Sequence, residues 1–289
     1  MTSIGLISDT HYQDRLFALP DKLAQVWTGV SLILHAGDVG DLSLLDALSA
    51  IAPVIAVSGN DEPEAVKQQL PLTAVVTVDG RRLLVTHSHF TDAAEERASR
   101  REQSWGPKFD RLAELAQGAG ARYVIYGHTH IPLLVEHQGV TLFNPGALAA
   151  PSYFTRPKRL LVGRLDFRGQ NAKLDHYDLA TGRSADLAKF NPRLEFGFTL
   201  QQFQSSIVEP SLLADIDRLR SLKFEQPRGV VQALVPLYRR CLTENQPMRR
   251  KDLLAALEGS AEVAAADRAA ALGLLTHAAD ETIVSDHQA

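Results

Sequence analysis

The 289-residue sequence has a single cysteine, Cys241, and no apolar run near the length that crosses a bilayer. One cysteine excludes an internal disulfide and is typical of proteins from a reducing compartment. A transmembrane helix needs about 20 predominantly apolar residues, and no basic segment followed by an apolar stretch precedes the first apolar run. These absences favour a cytoplasmic protein with no membrane partner.

A strong charge of either sign is also missing. The net charge is -4, and 22% of the residues are charged. Proteins that bind nucleic acid usually carry a basic patch that neutralises phosphates, so the composition disfavours a nucleic-acid partner. The hydrophobic fraction of 45% is enough for a large core, and we expect an ordinary soluble protein.

The sequence does contain five short apolar runs that each end shortly before a possible metal ligand. The runs are 4–8, 32–34, 54–57, 83–86 and 123–126. The residues that follow them are Asp9 and His11, Asp38, Asn60, His87, and the pair His128 and His130. Such runs are typical of strands buried on both faces, and helix-length spacers between several of them indicate βαβ units. Because functional groups collect at the carboxyl ends of strands, we expect the seven side chains to converge.

The seven side chains offer carboxylate oxygens, an amide oxygen and imidazole nitrogens. This set suits Mn, Fe, Ni, Co or Zn and includes no thiolate that would select a soft metal. Seven ligands are too many for one ion that must also hold water and substrate. The sequence therefore predicts two divalent metal ions that share one carboxylate, with manganese favoured and no other cofactor.

The remaining patterns predict a fold of class α/β. Helices are expected at 19–28, 42–49, 63–70, 92–103 and 108–117, and Asp79-Gly80 predicts a hairpin of strands 74–78 and 81–86. Two further hairpins, 133–136 with 140–143 and 160–167 with 173–177, are expected to form a second sheet. Two mixed β-sheets packed face to face and flanked by helices would give a four-layer αββα sandwich.

The pattern divides the chain into two predicted domains. Residues 1–180 hold all the candidate ligands, and residues 181–289 form a C-terminal helical extension with helices expected at 211–222, 229–242, 251–257 and 261–279. The extension is predicted to serve an accessory role or oligomerisation, so a homo-oligomer is a predicted partner.

Five motifs occur in a fixed order along the first 130 residues. They are Asp9-Thr10-His11, Gly37-Asp38-Val39-Gly40-Asp41, Gly59-Asn60-Asp61-Glu62, His87 and Gly127-His128-Thr129-His130. As a set they resemble the calcineurin-like metallophosphoesterase superfamily. The run at 86–89 and Asn144-Pro145-Gly146 are similar to its small prokaryotic phosphodiesterase branch, and the resemblance covers about residues 1–178.

The resemblance implies a ligand set for each ion and an αββα sandwich. Asp9, His11 and His130 would hold one ion, and Asn60, His87 and His128 would hold the other. Asp38 would bridge the two ions.

Asp61 stands where many members of the superfamily have a histidine that helps to protonate the leaving group. The small phosphodiesterase branch also lacks that histidine, so Asp61 favours diesters and leaves the proton donor open. His89 is the nearest candidate for an acid or a phosphate contact, and Asp61 and His89 are the predicted catalytic residues. Asp41 and Asp61 are expected to orient metal-bound imidazoles. His35 is expected to be structural or to support a ligand.

The predicted function is a two-metal phosphodiesterase that hydrolyses a small phosphoester substrate by attack of a metal-bridging hydroxide. The alternatives are a phosphomonoesterase or protein phosphatase with the same site, a nuclease, and a catalytically inactive scaffold like the related subunit of retromer. A scaffold should have lost ligands, and none of the seven is lost here. Arg156 and Lys158 are expected to be solvated loop charges.

Overall fold

The structure, a computed structural model, describes residues 2–284, without the side chains of 220, 221 and 277–284. His287, expected to be an ordinary residue away from the site, lies outside the described residues. The chain divides into two compact units. The first unit is Met1–Ala150 with Pro157–Gln204, and the second is Pro151–Arg156 with Ser205–Ala289.

The strands account for two large sheets and one short ribbon. In chain order they are β1 (Thr2–Ile7), β2 (Leu32–His35), β3 (Val54–Ala56), β4 (Thr73–Val78), β5 (Arg81–Thr86), β6 (Tyr123–Tyr126), β7 (Leu133–His137), β8 (Val140–Asn144), β9 (Thr155–Pro157), β10 (Leu161–Arg168), β11 (Asn171–Asp178), β12 (Arg183–Ser184) and β13 (Gln204–Ser206). The first sheet has the order β12-β11-β10-β1-β2-β3 and the second β4-β5-β6-β8-β7, while β9 pairs with β13.

Helices follow or precede most of the strands. They are α1 (Leu23–Val26), α2 (Ser43–Ser49), α3 (Glu64–Lys67), α4 (Ala93–Arg101), α5 (Gly106–Gly118), α6 (Phe196–Phe203), α7 (Leu213–Ser221), α8 (Pro227–Thr243), α9 (Arg250–Gly259) and α10 (Ala265–Val284), with a 3-10 turn at Pro210–Leu212. Among the described residues, no helix combines the length and apolar character needed to cross a membrane.

The first unit is the expected four-layer αββα sandwich. Leu84 and Val124 face outward from the second sheet and pack with Leu112 of α5. Their strand neighbours Val85 and Ile125 face inward and are buried between the two sheets. On the other side, residues of α1 and α2 cover the outer face of the first sheet. Because both faces of these strands are buried, their sequences are nearly continuous apolar runs.

The five apolar runs become the five strands β1, β2, β3, β5 and β6. In the first sheet β1, β2 and β3 are parallel, and in the second β5 and β6 are parallel. Their carboxyl ends carry the predicted ligands. The expected convergence therefore combines three strands of one sheet with two strands of the other.

The prediction that both late hairpins build the second sheet is wrong for one of them. The hairpin of β7 and β8 joins the second sheet next to β6. The hairpin of β10 and β11 instead joins the first sheet, where β10 pairs antiparallel with β1. Six of the eight residues of β10 are buried, because an internal strand is covered on both faces. Turn sequences predict a hairpin, but they do not predict which sheet it joins.

The second unit consists mainly of helices α7 to α10. Leu234, Leu253 and Leu257 are among its buried residues, and Asp215 pairs with Arg250. Helices were expected there, and α6 of the first unit was not. The role of residues 181–289 as a separate domain that mediates oligomerisation stays a prediction.

Candidate metal centre

The seven predicted ligands lie together at the carboxyl ends of strands from both sheets. They follow β1 (Asp9, His11), β2 (Asp38), β3 (Asn60), β5 (His87) and β6 (His128, His130). The parallel arrangement of these strands explains the convergence, since each strand delivers its following loop to the same edge of the sandwich.

Four of the residues form a closed group that we call the first half-site: Asp9, His11, Asp38 and His130. Each offers a ligand atom, and these atoms all lie within 4.8 Å of one another. Asp9 Oδ1 is 3.3 Å from His130 Nε2, and Asp38 Oδ2 is 3.3 Å from His11 Nε2. All four residues are buried, so the half-site is a compact buried cluster of nitrogen and oxygen atoms.

Asn60, His87 and His128 form a neighbouring group, the second half-site. The amide of Asn60 has its Oδ1 position 2.8 Å from His128 Nδ1 and 3.1 Å from His87 Nε2. Asp38 Oδ2 is 3.2 Å from His87 Nε2. One carboxylate oxygen of Asp38 therefore contacts an imidazole of each half-site, as a bridging ligand must.

Backbone strain is concentrated in the same loops. Five of the seven predicted ligands have a positive φ angle: Asp9 (51°), His11 (41°), Asp38 (54°), His128 (71°) and His130 (55°). Residues other than glycine rarely adopt this conformation, and it costs of order 1–3 kcal/mol per residue. Strain of this kind persists where the surrounding structure holds side chains in place for function, and here it turns the ligands toward one point.

Two glycines allow these loops to approach one another. A Cβ atom on Gly59 would lie 2.0 Å from Oδ1 of Asp38, and one on Gly127 would lie 2.6 Å from the carbonyl oxygen of Ala36. Neither distance is compatible with a side chain. The glycines of the Gly-Asn and Gly-His motifs are therefore needed for close packing around Asp38.

Backbone carbonyl groups orient two of the histidines. His87 Nδ1 donates to the carbonyl oxygen of Ala36 at 2.8 Å, and His130 Nδ1 donates to that of Ala149 at 2.9 Å. When the ring is neutral, as metal ligation requires, a donor bond at Nδ1 leaves the lone pair on Nε2, which in both residues is the atom that faces a carboxylate of the centre.

His128 has the opposite orientation and depends on a side chain that the sequence analysis missed. Its Nδ1 faces Asn60, and its Nε2 lies 3.1 Å from Oε1 of Glu96 in α4. A carboxylate in this position fixes the tautomer of a ligating imidazole. Glu96 belongs to a highly charged segment that the sequence predicts only to be helical, so no sequence signal identified it.

Arg15 is a second residue that the sequence analysis missed. It is buried, and its Nη1 donates to the carbonyl oxygen of Ala150 at 3.0 Å. Its Nη2 pairs with the carboxylate of Asp61 and lies 2.7 Å from His11 Nδ1. Asp61 is thus held at the edge of the first half-site, 3.8 Å from His11 Nδ1.

The remaining predicted residues occupy different environments. His89 lies beside the second half-site, with its ring centre 5.6 Å from that of His87. His35 is buried and bonds Thr10 at 2.9 Å, which fits a structural role. Asp41 was expected to orient a metal-bound imidazole. Its carboxylate instead accepts hydrogen bonds from the backbone N–H and the hydroxyl group of Ser43.

Lys158 and Arg156, expected to be solvated, have local partners. Lys158 Nζ donates to the carbonyl oxygen of Gln201 at 2.9 Å. Arg156 Nη1 donates to Oδ1 of Asn245 at 2.7 Å. Neither contact involves a residue of the metal centre.

Burial and mutual charge set the protonation of His87 apart from that of the other three histidines. Burial lowers the pKa of His128. Burial lowers the pKa of His130 to about 3 and holds the pKa of His11 well below its usual value. Burial also opposes the charge of His87, but the carboxylates of Asp38 and Asp9 outweigh it and raise its pKa to about 9. Burial raises the pKa of Asp9 to about 7. The first half-site therefore presents neutral imidazoles, whose lone pairs are available to a cation.

Two polar atoms of the centre lack a matched partner in the part of the chain that the structure describes. His11 Nε2 is buried without a hydrogen bond among the described residues. The Oδ1 position of Asn60 faces two imidazole nitrogens rather than clear donors. An excess of converging lone pairs and a shortage of donors is the arrangement that a divalent cation satisfies, and the nitrogen and oxygen donors fit a borderline metal ion.

Known proteins are similar to this chain in sequence and in fold. A probable metallophosphoesterase of Methanocaldococcus jannaschii is 34% identical over 148 residues, which is 51% of this chain and 69% of the relative. One from Methanothermobacter thermautotrophicus is 31% identical over 62% of this chain and 92% of the relative. Phosphodiesterase YfcE of Escherichia coli is 32% identical over 103 residues, 34% of this chain and 46% of YfcE.

Among solved structures, a Vps29 variant from Entamoeba histolytica has a TM-score of 0.52 at 22% identity, over 66% of this chain and 100% of that one. This similarity concerns the fold. The model of the calcineurin-like phosphoesterase superfamily domain matches residues 2–167, which contain all seven predicted ligands. Members of that family depend on divalent metal, and the side-chain cluster here is a candidate site for it. The chain belongs to the calcineurin-like phosphoesterase superfamily.

Proposed function

We propose that the protein is a two-metal phosphodiesterase in which Asp38 bridges the two ions. The observation that carries this proposal is the position of Asp38 Oδ2, 3.3 Å from His11 Nε2 and 3.2 Å from His87 Nε2. A single carboxylate oxygen between two groups of imidazole ligands is what a binuclear centre requires.

The comparisons support the reaction class and, more weakly, the diester specificity. The family and two of the relatives are named for metallophosphoesterase activity. A phosphodiesterase name comes from YfcE, whose match covers 34% of this chain. Hydrolysis of a small phosphodiester by this chain is therefore the proposal's own step, which rests on the complete ligand set and on Asp61.

In this proposal Asp9, His11 and His130 hold one ion, and Asn60, His87 and His128 hold the other. When bound, the pair of divalent ions supplies Lewis acidity and lowers the pKa of water, so that a nucleophile is available near neutral pH. The protein's own contribution is to fix the ligand geometry before the substrate arrives. Three contacts fix that geometry. Carbonyl oxygens orient His87 and His130, and the carboxylate of Glu96 lies beside His128.

His89 fits a phosphate contact better than an acid. Burial and the neighbouring His87 and His128 lower its pKa to about 4, so the ring is neutral near pH 7 and a poor proton donor. A neutral imidazole can still donate an N–H to a phosphoryl oxygen. Asp61 is already paired with Arg15, which leaves it poorly placed to donate to a leaving group. A leaving group that needs little protonation therefore suits this site best.

The experiment is a metal analysis of the purified protein followed by a substrate panel. Bis(p-nitrophenyl) phosphate and p-nitrophenyl phosphate represent diesters and monoesters, each with Mn, Fe, Ni, Co or Zn. We expect metal-dependent hydrolysis with a preference for the diester. Asp38→Ala should lower the rate at least about 10³-fold, since transition-state stabilisation of several kcal/mol is lost.

His137→Ala is the matched control, because His137 pairs with Asp110 away from the ligands and should keep wild-type activity. A preference for the monoester would contradict the proposed diester specificity and would favour a phosphomonoesterase. Equal rates in the wild type, Asp38→Ala and His137→Ala would reject the ligand assignment. Absence of hydrolysis with every ion would favour the inactive scaffold.

A further inference from the structure

Helix α4 places an arginine over the second half-site. Arg100 lies one turn after Glu96, and its Nε is 2.6 Å from Glu96 Oε1. Glu96 in turn contacts His128 Nε2 at 3.1 Å. The side chain of Arg100 is 57% exposed, whereas that of Glu96 is only 12% exposed. Arg100 therefore extends from the buried ligand cluster toward solvent, where a substrate would arrive.

The amide of Asn60 lies between the imidazoles and this arginine. One of its two terminal positions faces His128 Nδ1 and His87 Nε2. The other position is 3.1 Å from Nη2 of Arg100. Whichever orientation the amide adopts, one terminal atom is directed at the ligands and the other at the guanidinium.

The two amide orientations have different consequences. If the nitrogen faces the imidazoles, the oxygen accepts a hydrogen bond from Arg100, and Asn60 cannot ligate a metal with the histidines. If the oxygen faces the imidazoles, as ligation requires, the amide N–H group points at the guanidinium of Arg100. Two donors then meet with no acceptor between them, which is unfavourable unless an anion supplies one.

We propose that Arg100 Nη2 and Asn60 Nδ2 together bind a non-bridging oxygen of the substrate phosphoryl group. This inference rests on the proposed function and adds to it a substrate-binding residue from outside the family motifs. A guanidinium is well suited to this task because it stays charged and offers several fixed donors to an anionic oxygen. Metal ligation by the Asn60 oxygen leaves its N–H group free for the same oxygen atom.

The helix that carries Arg100 is anchored at both ends. Asp92 Oδ1 accepts from the backbone N–H groups of Ala94 and Glu95 at 2.8 and 2.9 Å, which caps the first turn. Near the other end, Lys108 Nζ donates to the carbonyl oxygen of Ser99 at 2.9 Å. A fixed helix reduces the entropy lost when Arg100 binds an anion.

The test compares Arg100→Ala and Arg100→Lys with Arg97→Ala, which removes an equal charge from an exposed position of the same helix. Titration calorimetry with inorganic phosphate on the manganese-loaded protein measures anion affinity directly, and metal content is measured on the same samples. We expect phosphate to bind Arg100→Ala about 10- to 100-fold more weakly. The KM for the diester should rise as the phosphate affinity falls, and the metal content should not change.

Arg97→Ala should bind phosphate within about twofold of the wild type, and Arg100→Lys should recover part of the affinity because it restores the charge without the fork of donors. Equal phosphate affinity in Arg100→Ala and Arg97→Ala would overturn the inference while leaving the proposed function intact. Loss of metal from Arg100→Ala would also overturn it, since Arg100 would then support the metal ligands. A wild-type protein that binds phosphate but hydrolyses no phosphoester would reject the proposed function instead.

Discussion

The two halves of the metal centre differ in how they are enclosed. In the first half-site the side chains of Asp9, His11 and His130 are 0%, 2% and 5% exposed. In the second half-site His128 is 18% exposed, and Arg100 beside it is mostly exposed. The first half-site is therefore closed. The second half-site reaches solvent at His128 and Arg100, although its His87 is fully buried.

The charged side chains beside the two half-sites also differ. His11 in the first half-site contacts the guanidinium of Arg15, whereas His128 in the second half-site contacts the carboxylate of Glu96. A carboxylate beside a ligating imidazole fixes its tautomer and raises its basicity, so a substitution of Glu96 should act on the second half-site. The comparison leads to three predictions.

The largest effect is expected when one histidine is removed from either half-site. His130→Ala and His128→Ala should each lower the hydrolysis rate at least about 10³-fold, because both ions are needed. Each variant should retain one ion per chain instead of two, as measured by inductively coupled plasma mass spectrometry. His137→Ala serves again as the control. Two ions in His128→Ala would show that His128 is not a ligand and would remove the distinction between the half-sites.

A smaller effect is expected from Glu96→Gln. The substitution removes the carboxylate beside His128 Nε2 and should weaken metal binding at the second half-site about 10- to 100-fold. Competition titration with a metal-binding dye should show one weakened site and one unchanged site. Glu95→Gln is the matched control, because Glu95 is an exposed neighbour in the same helix. Equal weakening of both sites, or of neither, would contradict the separate support proposed for the second half-site.

The smallest effect concerns the pKa values of His130 and His87 in the metal-free protein. The pKa of His130 falls from 6.5 to about 3, so its contribution to stability is present above pH 6.5 and is lost as the pH falls toward 3. The pKa of His87 rises from 6.5 to about 9, so its contribution is complete below pH 6.5 and is lost as the pH rises through 9. NMR titration of the imidazole nitrogens should find His130 neutral and His87 protonated at pH 7. Titration of both rings near pH 6.5 would contradict the assignment.

The sequence predicted that the seven candidate ligands converge but missed the residues that contact them, for a physical reason. Each ligand follows a buried strand, so the apolar run that precedes it indicates its location. Glu96, Arg100 and Arg15 have no such signal, because they belong to a charged helix and to a loop where charged residues are ordinary. Their positions beside His128, Asn60 and His11 depend on how distant segments pack. Only the three-dimensional structure relates these residues to the centre.

In the fold, too, the sequence predicted local features correctly and missed a feature that depends on distant segments. Local turn sequences correctly predicted the hairpins, including Asp79-Gly80 between β4 and β5. The partner of the β10–β11 hairpin was predicted wrongly, because pairing of β10 with β1 joins residues that are more than 150 positions apart. Pairing over such a distance is determined by burial on both faces of β10 and leaves no local pattern.

Anomalous diffraction from crystals of the manganese-loaded protein tests the central claim most directly. We predict two anomalous peaks about 3.5–4 Å apart, one among Asp9, His11 and His130 and one among Asn60, His87 and His128, with the carboxylate of Asp38 contacting both. A single peak, or two peaks that do not share Asp38, would contradict the account.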